Sequence, residues 1–419
     1  MAELVALDLG GDGFVEALRR VWDEGDAVLP LDPRAPLAHS RRILDALAPS
    51  AVISSDGRRT GRPGGVPVEP GDAVVIATSG TTGDPKGAVH THAGVAAAAR
   101  LTAAATCSRA PAVRWLACLP LAHVGGFSVV TRALLTDTGL EVHDRADTAR
   151  IDDAAGRGAT HVSLVATLVG RIDASLWQVI LLGGSAIPAD RPTNSIATYG
   201  MTETFGGIVY EGRPLEGVEV RIAVDGDRTG ERRTGEERVG RDSAGEPAGS
   251  DTAIGPIELR SPTTLRAYRH GPDGSADPAG TDPRGSDGWL STGDLGVVRA
   301  DASLHVLGRS DDLIISGGSK VWPAPVEEVL RTQPGIDDVA VVGVSDPEWG
   351  ERVVAIVVPS DPRFPPRLED LRSAVRSELP VAAAPKEMRL VDVLPRTPLG
   401  KIMRSALVQG TRKADPHDS

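Results

Sequence analysis

The segment Thr78-Ser79-Gly80-Thr81-Thr82-Gly83-Asp84-Pro85-Lys86-Gly87 gathers glycines, hydroxyls and one lysine directly behind an apolar run. Glycines let a backbone turn tightly enough to aim N–H groups at phosphate oxygens, hydroxyls add donors, and Lys86 adds positive charge. Such a loop is suited to hold a polyphosphate. An ordinary Gly/Ser/Thr turn is the plainer reading, and the density of these residue types right after a buried strand counts against it. It is not a Walker loop, which needs glycine directly before the lysine, where Pro85 stands here.

This loop resembles the phosphate loop of the adenylate-forming superfamily, which includes acyl-CoA synthetases, luciferases and the adenylation domains of peptide synthetases. Further motifs of that family follow in order. Tyr199-Gly200-Met201-Thr202-Glu203-Thr204 resembles the motif in which, by the resemblance, Tyr199 packs on adenine, Thr202 bonds the α-phosphate and Glu203 helps hold magnesium. A hard cation between phosphates takes a carboxylate and several waters, so the residue type agrees. Gly184-Ser185-Ala186 would lie along the adenine, although a Gly-Gly after a strand can equally be a tight turn. Ser291-Thr292-Gly293-Asp294 and Arg309 resemble the ribose contacts; one carboxylate can accept from two vicinal hydroxyls. Leu119-Pro120-Leu121-Ala122-His123-Val124-Gly125-Gly126 resembles the motif whose histidine lines the acyl pocket.

Four features toward the C-terminus extend the likeness. Asp311 matches the hinge of the small domain. Ile315-Ser316-Gly317-Gly318-Ser319-Lys320 resembles the loop lining the pantetheine tunnel, with Ser319 where the family commonly has an acidic residue. Trp349 falls where some members contact the adenine of CoA, and a packed tryptophan is the plainer alternative. Pro395-Arg396-Thr397-Pro398-Leu399-Gly400-Lys401 resembles the catalytic-lysine loop. Adenylation adds negative charge at the α-phosphate, and a lysine delivered there stabilises it electrostatically.

The elements that must position these residues follow from periodicity. Residues 73–77 read as a buried strand, followed by the loop and then an Ala-rich helix over 93–105. Residues 27–53 read as an αβ unit with a helix over 41–47, and 179–182 as a second buried strand. Alternation through residue 210 favours an α/β fold with mostly parallel sheets, a β-rich portion and a small mobile C-terminal α+β domain. In that domain a helix opens at Pro325, strands cover 339–344 and 353–358, and Leu368, Leu371, Val375 and Leu379 mark one helix face. The expected division is a large ATP- and acyl-binding domain over 1–310, a lid domain over 311–410 and a tail over 411–419. Residues 224–252 and 271–288 read as solvated insertions. Family members carry a longer segment before the phosphate loop, so the N-terminal part reads as abbreviated.

Length and charge bound the remaining possibilities. At 419 residues the chain can bury a large core, and its formal charge of -12 argues against nucleic-acid or anionic-membrane surfaces. Cys107 and Cys118 lack metal-ligand spacing and read as buried thiols of a reducing compartment. With no basic and apolar leader and no long apolar run, a cytoplasmic protein is expected.

The resemblance implies an AMP-forming acid:CoA ligase that uses ATP, Mg2+ and CoA, acts on a small-molecule carboxylic acid, and allows a homodimer. Residues 161–167 and 199–220 are most similar to actinobacterial o-succinylbenzoate:CoA ligases of menaquinone synthesis. For an aromatic diacid, Arg132, Ser163 and Thr167 are candidate pocket residues, each open to a purely structural role. The alternatives are a ligase for another aryl or medium-chain acid, a peptide-synthetase-like adenylation domain, and a nucleotide-binding regulator without turnover.

Overall fold

The computed structural model describes residues 2–79, 85–106, 112–184, 187, 190–223, 254–270, 276–396 and 402–412. The chain divides into two compact units, the first built on residues 1–219 and 260–290 and the second on 220–259, 291–397 and 402–419.

The first unit holds two seven-stranded sheets. In one, Leu4–Asp8 pairs in parallel with Ala27–Pro30 and with Ala51–Ser54, and Ala27–Pro30 continues in parallel to Asp72–Ser79. These strands are nearly continuous apolar runs because helices cover the sheet. One of them, Gly11–Asp23, buries Phe14, Ala17, Leu18 and Val21, the i, i+3, i+4, i+7 stripe of a core-facing helix. The first strand therefore starts at Leu4, well before the αβ unit expected from residue 27. The helix expected over 41–47 begins earlier, at Leu37.

The phosphate loop is not flanked as the sequence suggests. A strand, Pro85–Thr91, stands between it and the helix His92–Thr106, and pairs antiparallel with Asp72–Ser79, setting Thr78 opposite Lys86. The loop is thus a hairpin connection. Lys86 and His90 break the apolar pattern of this second strand, which hides it from a periodicity reading.

The second sheet is parallel through His161–Val165, Val179–Gly183 and Ser195–Met201. It then turns antiparallel to Gly206–Tyr210.

A short strand, Ala267–Tyr268, closes the edge of the first sheet beside Ala88 and Val89. Two arginines fasten it to distant parts of the unit. Arg266 donates through Nε and Nη2 to both oxygens of buried Asp72, each at 2.8 Å. Arg269, 1% exposed, donates to the carbonyls of Leu47 (2.9 Å), Pro67 (2.8 Å) and Val66. Burial lowers its pKa to about 10, which still leaves it charged at neutral pH. Residues 276–288, expected as part of a solvated insertion, are tied back: Thr281 bridges Tyr268, and Arg266 donates to the carbonyls of Pro278 and Ala279. Residues 224–252 and 271–275 lie outside the described residues.

The second unit contains a four-stranded sheet and a five-stranded sheet. In the latter, Ile336–Asp346 and Gly350–Pro359 form a long hairpin, longer at both ends than the apolar cores at 339–344 and 353–358. Helices Pro323–Arg331 and Leu368–Glu378 pack on it through Val326, Val329, Leu330, Leu371 and Val375. The first of these helices opens at Pro323, where a proline at N1 loses no intrahelical bond, two residues before the expected Pro325.

Candidate nucleotide-binding and adenylation residues

In the first unit the Tyr199-to-Thr204 segment is a strand end that tightens into one 3-10 turn, Thr202–Thr204. Thr204 closes the turn: its Oγ1 accepts from the Met201 N–H at 2.9 Å and donates to the Gly206 carbonyl at 2.8 Å. Gly200 has no substitute here, since a Cβ would lie 2.0 Å from the Gly206 carbonyl oxygen.

Two residues not foreseen from the sequence hold the turn. His90, fully buried on the strand after the phosphate loop, donates from Nε2 to the Thr202 carbonyl at 2.8 Å, and its ring meets Phe205 edge-on at 4.9 Å. Desolvation lowers its pKa to about 4, so the ring is neutral at pH 7. Tyr268 donates its hydroxyl to Glu203 Oε1 at 2.6 Å, while the Glu203 carbonyl accepts from the Leu265 N–H at 2.7 Å. The Lys86 ammonium lies 5.6 Å from the centroid of the same Tyr268 ring.

The structure thus brings Lys86, Thr202 and Glu203 into one neighbourhood, with Thr78 donating to the Lys86 carbonyl at 3.3 Å. Tyr199 and Met201 lie on the strand leading into it, and Gly184, at φ 86°, follows directly on the neighbouring strand Val179–Gly183. Gly80, Thr81, Thr82, Gly83, Ser185, Ala186 and Lys401 lie outside the described residues, as does the side chain of Ser79. Among the described residues no group of three or more His, Cys, Asp or Glu could hold a metal alone. One carboxylate beside a lysine fits magnesium, which keeps several waters and shares its other positions with substrate phosphates.

His123 caps the helix Val124–Leu135, its carbonyl accepting from the N–H groups of Gly126 and Phe127. Burial lowers its pKa, with nearby Asp32 opposing that shift and His39 adding to it. The glycines after it allow close packing: a Cβ on Gly126 would lie 2.3 Å from the Leu119 carbonyl oxygen. Of the candidate pocket residues, Thr167 is exposed and Ser163 half-buried. Arg132 is buried with its guanidinium 4.3 Å from the Trp115 ring centroid. That places Arg132 in the packed layer between helix and sheet, where it stacks on an indole. Cys118 is buried, its thiol pushed up to about 12, and Cys107 lies outside the described residues.

In the second unit the two expected ribose contacts meet as a cross-strand pair. Arg309 donates to Asp294 Oδ1 at 3.3 Å and to the Thr292 carbonyl at 3.0 Å. Gly293, at φ 71°, leaves room for that guanidinium, which would lie 3.0 Å from a Cβ there. Asp311 is exposed on the next turn, 3.9 Å from Arg309. Gly317 and Gly318, at φ 57° and 77°, form the two-residue tip of a hairpin between Ile314–Ser316 and Ser319–Val321, and the Gly317 N–H donates to the Trp349 carbonyl at 2.8 Å. Both signs of φ are those of a type I′ turn, for which Gly-Gly is a natural choice. Three residues after Lys401, Arg404 donates to buried Glu327 at 2.6 Å and to Asp312 at 3.3 Å.

Comparison with known proteins gives the chain's relatives. The AMP-binding enzyme family matches residues 39–268, and the AMP-binding enzyme C-terminal domain matches 325–401. A protein named probable 2-succinylbenzoate–CoA ligase, from Mycobacterium tuberculosis strain H37Rv, is 37% identical over 80% of this chain and 84% of its own length. A sulfoacetate–CoA ligase from Cupriavidus necator is 32% identical over 94% of this chain and 75% of its own. Among solved structures, the o-succinylbenzoate coenzyme A synthetase of Bacillus subtilis in complex with AMP superposes with a TM-score of 0.77 at 25% identity, covering 97% of this chain and 88% of that one. Among the described residues no helix is long and apolar enough to cross a membrane. With both family domains matched and the motif residues Lys86, Thr202, Glu203, Asp294 and Arg309 placed together within their units, the chain belongs to the AMP-binding enzyme family.

Proposed function

We propose that this chain is an ATP-dependent carboxylic acid:CoA ligase that forms an acyl-adenylate, with o-succinylbenzoate as its acid, as in menaquinone biosynthesis. The observation carrying the adenylation chemistry is the turn at Thr202 and Glu203, whose carboxylate shares Tyr268 with Lys86. The choice of acid rests on the relative 37% identical over most of both chains.

In the first step the acid's carboxylate attacks the α-phosphorus of ATP, the bond to the β-phosphate oxygen breaks, and pyrophosphate leaves. Magnesium, when bound, offsets phosphate charge during this displacement. Thr202 donates to the α-phosphate, Lys86 neutralises the phosphate tail, and Asp294 with Arg309 holds the ribose. Lys401 stabilises the charge that develops on the α-phosphate. In the second step Lys401 withdraws as its domain turns about Asp311, and the CoA thiol attacks the acyl carbon to release AMP. The Gly317-Gly318 turn borders the path of the pantetheine arm, and neutral His123 lines the acyl side. We assign the reaction to the cytoplasm, and a homodimer is the assembly to test.

A ligase for another acid is the second reading, favoured by the sulfoacetate–CoA ligase relative, which matches a larger share of this chain. Release of AMP and pyrophosphate with MgATP, CoA and a panel of o-succinylbenzoate, benzoates, sulfoacetate and fatty acids separates the two. CoA-dependent turnover selective for o-succinylbenzoate is expected. Selective turnover of a different acid keeps the ligase and overturns the substrate, and no AMP with any acid overturns the ligase.

A further inference from the structure

Tyr268 stands between two charged groups that must act on the same triphosphate. Its hydroxyl donates to Glu203 Oε1 at 2.6 Å, and the Lys86 ammonium lies 5.6 Å from its ring centroid. Its backbone is fixed on both edges: it pairs with Ala88 on the strand that carries Lys86, and bridges Thr281 on the other side. Arg269, the next residue, is locked to three carbonyls, and Arg266, two residues before, to Asp72.

We propose that Tyr268 is a positioning residue for adenylation: it orients the Glu203 carboxylate toward the magnesium–nucleotide and sets its distance from Lys86. A carboxylate on a mobile side chain loses rotamer freedom when it meets a cation. A phenol bonded to Oε1 removes that freedom beforehand and directs Oε2, which accepts no hydrogen bond from the described residues, to the cation. The ring face does the corresponding service for Lys86, since an ammonium over an aromatic face is attracted to it. One residue thereby sets both the carboxylate that meets magnesium and the lysine that meets the phosphates.

The inference rests on reading Glu203 as the magnesium carboxylate, and equilibrium binding separates the two ideas. ATP titrations with and without Mg2+, followed by calorimetry on the full chain, compare wild type with Tyr268→Phe, Tyr268→Leu, Glu203→Gln and the Tyr268→Phe/Glu203→Gln double variant. Phenylalanine keeps the ring and loses the hydroxyl, so Tyr268→Phe is expected to weaken ATP about tenfold with Mg2+ and to leave Mg2+-free binding unchanged. Tyr268→Leu loses the ring as well and is expected to weaken Mg2+-free binding too. Adding Tyr268→Phe to Glu203→Gln is expected to cost nothing further, because the interaction is already gone. Wild-type affinity with Mg2+ in a folded Tyr268→Phe protein overturns the role of Tyr268. If Glu203→Gln itself leaves Mg2+-dependent binding intact, the reading of Glu203 falls instead. A purely structural role for the hydroxyl is the outcome if Tyr268→Phe weakens both conditions equally, and that also overturns the proposal.

Discussion

Trp349 packs its six-membered ring edge against Gly317: a Cβ built on Gly317 would lie 2.9 Å from that ring. The other partner of the indole is Lys386, whose ammonium sits 3.8 Å from the ring centroid. The tryptophan expected as a possible CoA contact is therefore already engaged with the turn expected to line the pantetheine path. At φ 57° Gly317 also has a left-handed backbone that a side chain strains. Gly317→Ala is expected to cost about 1–3 kcal/mol of stability in urea unfolding. In a Trp349→Ala background the same substitution should cost less, because the ring it strikes is gone. Equal costs in both backgrounds would show that backbone strain acts alone.

Lys401→Ala should slow acyl-adenylate formation by about 10²–10³-fold, the scale of losing one charge-stabilising group in the transition state. The thioester step, started from pre-formed acyl-adenylate and CoA, should proceed at close to the wild-type rate. Separate assays of the two half-reactions check this, and equal loss in both would remove Lys401 from its assigned step.

His90 has a folded-state pKa of about 4 against an ordinary 6.5, with burial as the cause. Between those values the unfolded chain binds a proton that the folded chain does not, so stability falls as pH drops from about 6.5 toward 4 and levels off below. The loss is on the order of 3 kcal/mol over that window. Gln in place of His90 can keep a donor toward the Thr202 carbonyl without titrating. Urea unfolding of wild type and His90→Gln across pH 4–7 should show the variant's curve flattened by about that amount.

Arg269→Met should destabilise the first unit by about 3 kcal/mol or more, since the carbonyls of Leu47, Val66 and Pro67 lose a shared donor in a buried place. Lysine at 269 should recover only part of this, because an ammonium cannot reproduce the planar fork. Denaturant midpoints of the two variants give the comparison.

What the sequence displayed and what it concealed divide along chain distance. The Tyr199-to-Thr204 segment and the separate segments around Asp294 and Arg309 stood out because each is a short run of chemically distinctive residues, although the pairing of Asp294 with Arg309 spans 15 positions. Two helices of the second unit were legible, one because Leu368, Leu371, Val375 and Leu379 repeat at helical spacing and the other because a proline opens it, whereas Arg404–Arg412 was not foreseen. His90 and Tyr268 were not, since each acts on a turn 112 or 65 positions away and looks locally like one polar residue in a strand. The strand carrying Lys86 was missed for a related reason: its register with Asp72–Ser79 is a matter of pairing, and local periodicity carries no pairing information. Arg132, open in the sequence to either a ligand or a structural role, lies with its guanidinium over the Trp115 ring, a contact between helix and strand that no local pattern announces.

Arg269 also bears on the order in which the protein can be made. Its guanidinium satisfies carbonyls that lie 202 to 222 positions earlier, and Arg266 neutralises an aspartate 194 positions earlier. During synthesis those groups leave the ribosome long before their partners, at about 5–20 residues per second. For at least about ten seconds the nascent N-terminal sheet must therefore exist without its last strand and without these donors. A chain stopped before residue 266 would carry the phosphate loop and the Glu203 turn on a sheet that cannot close.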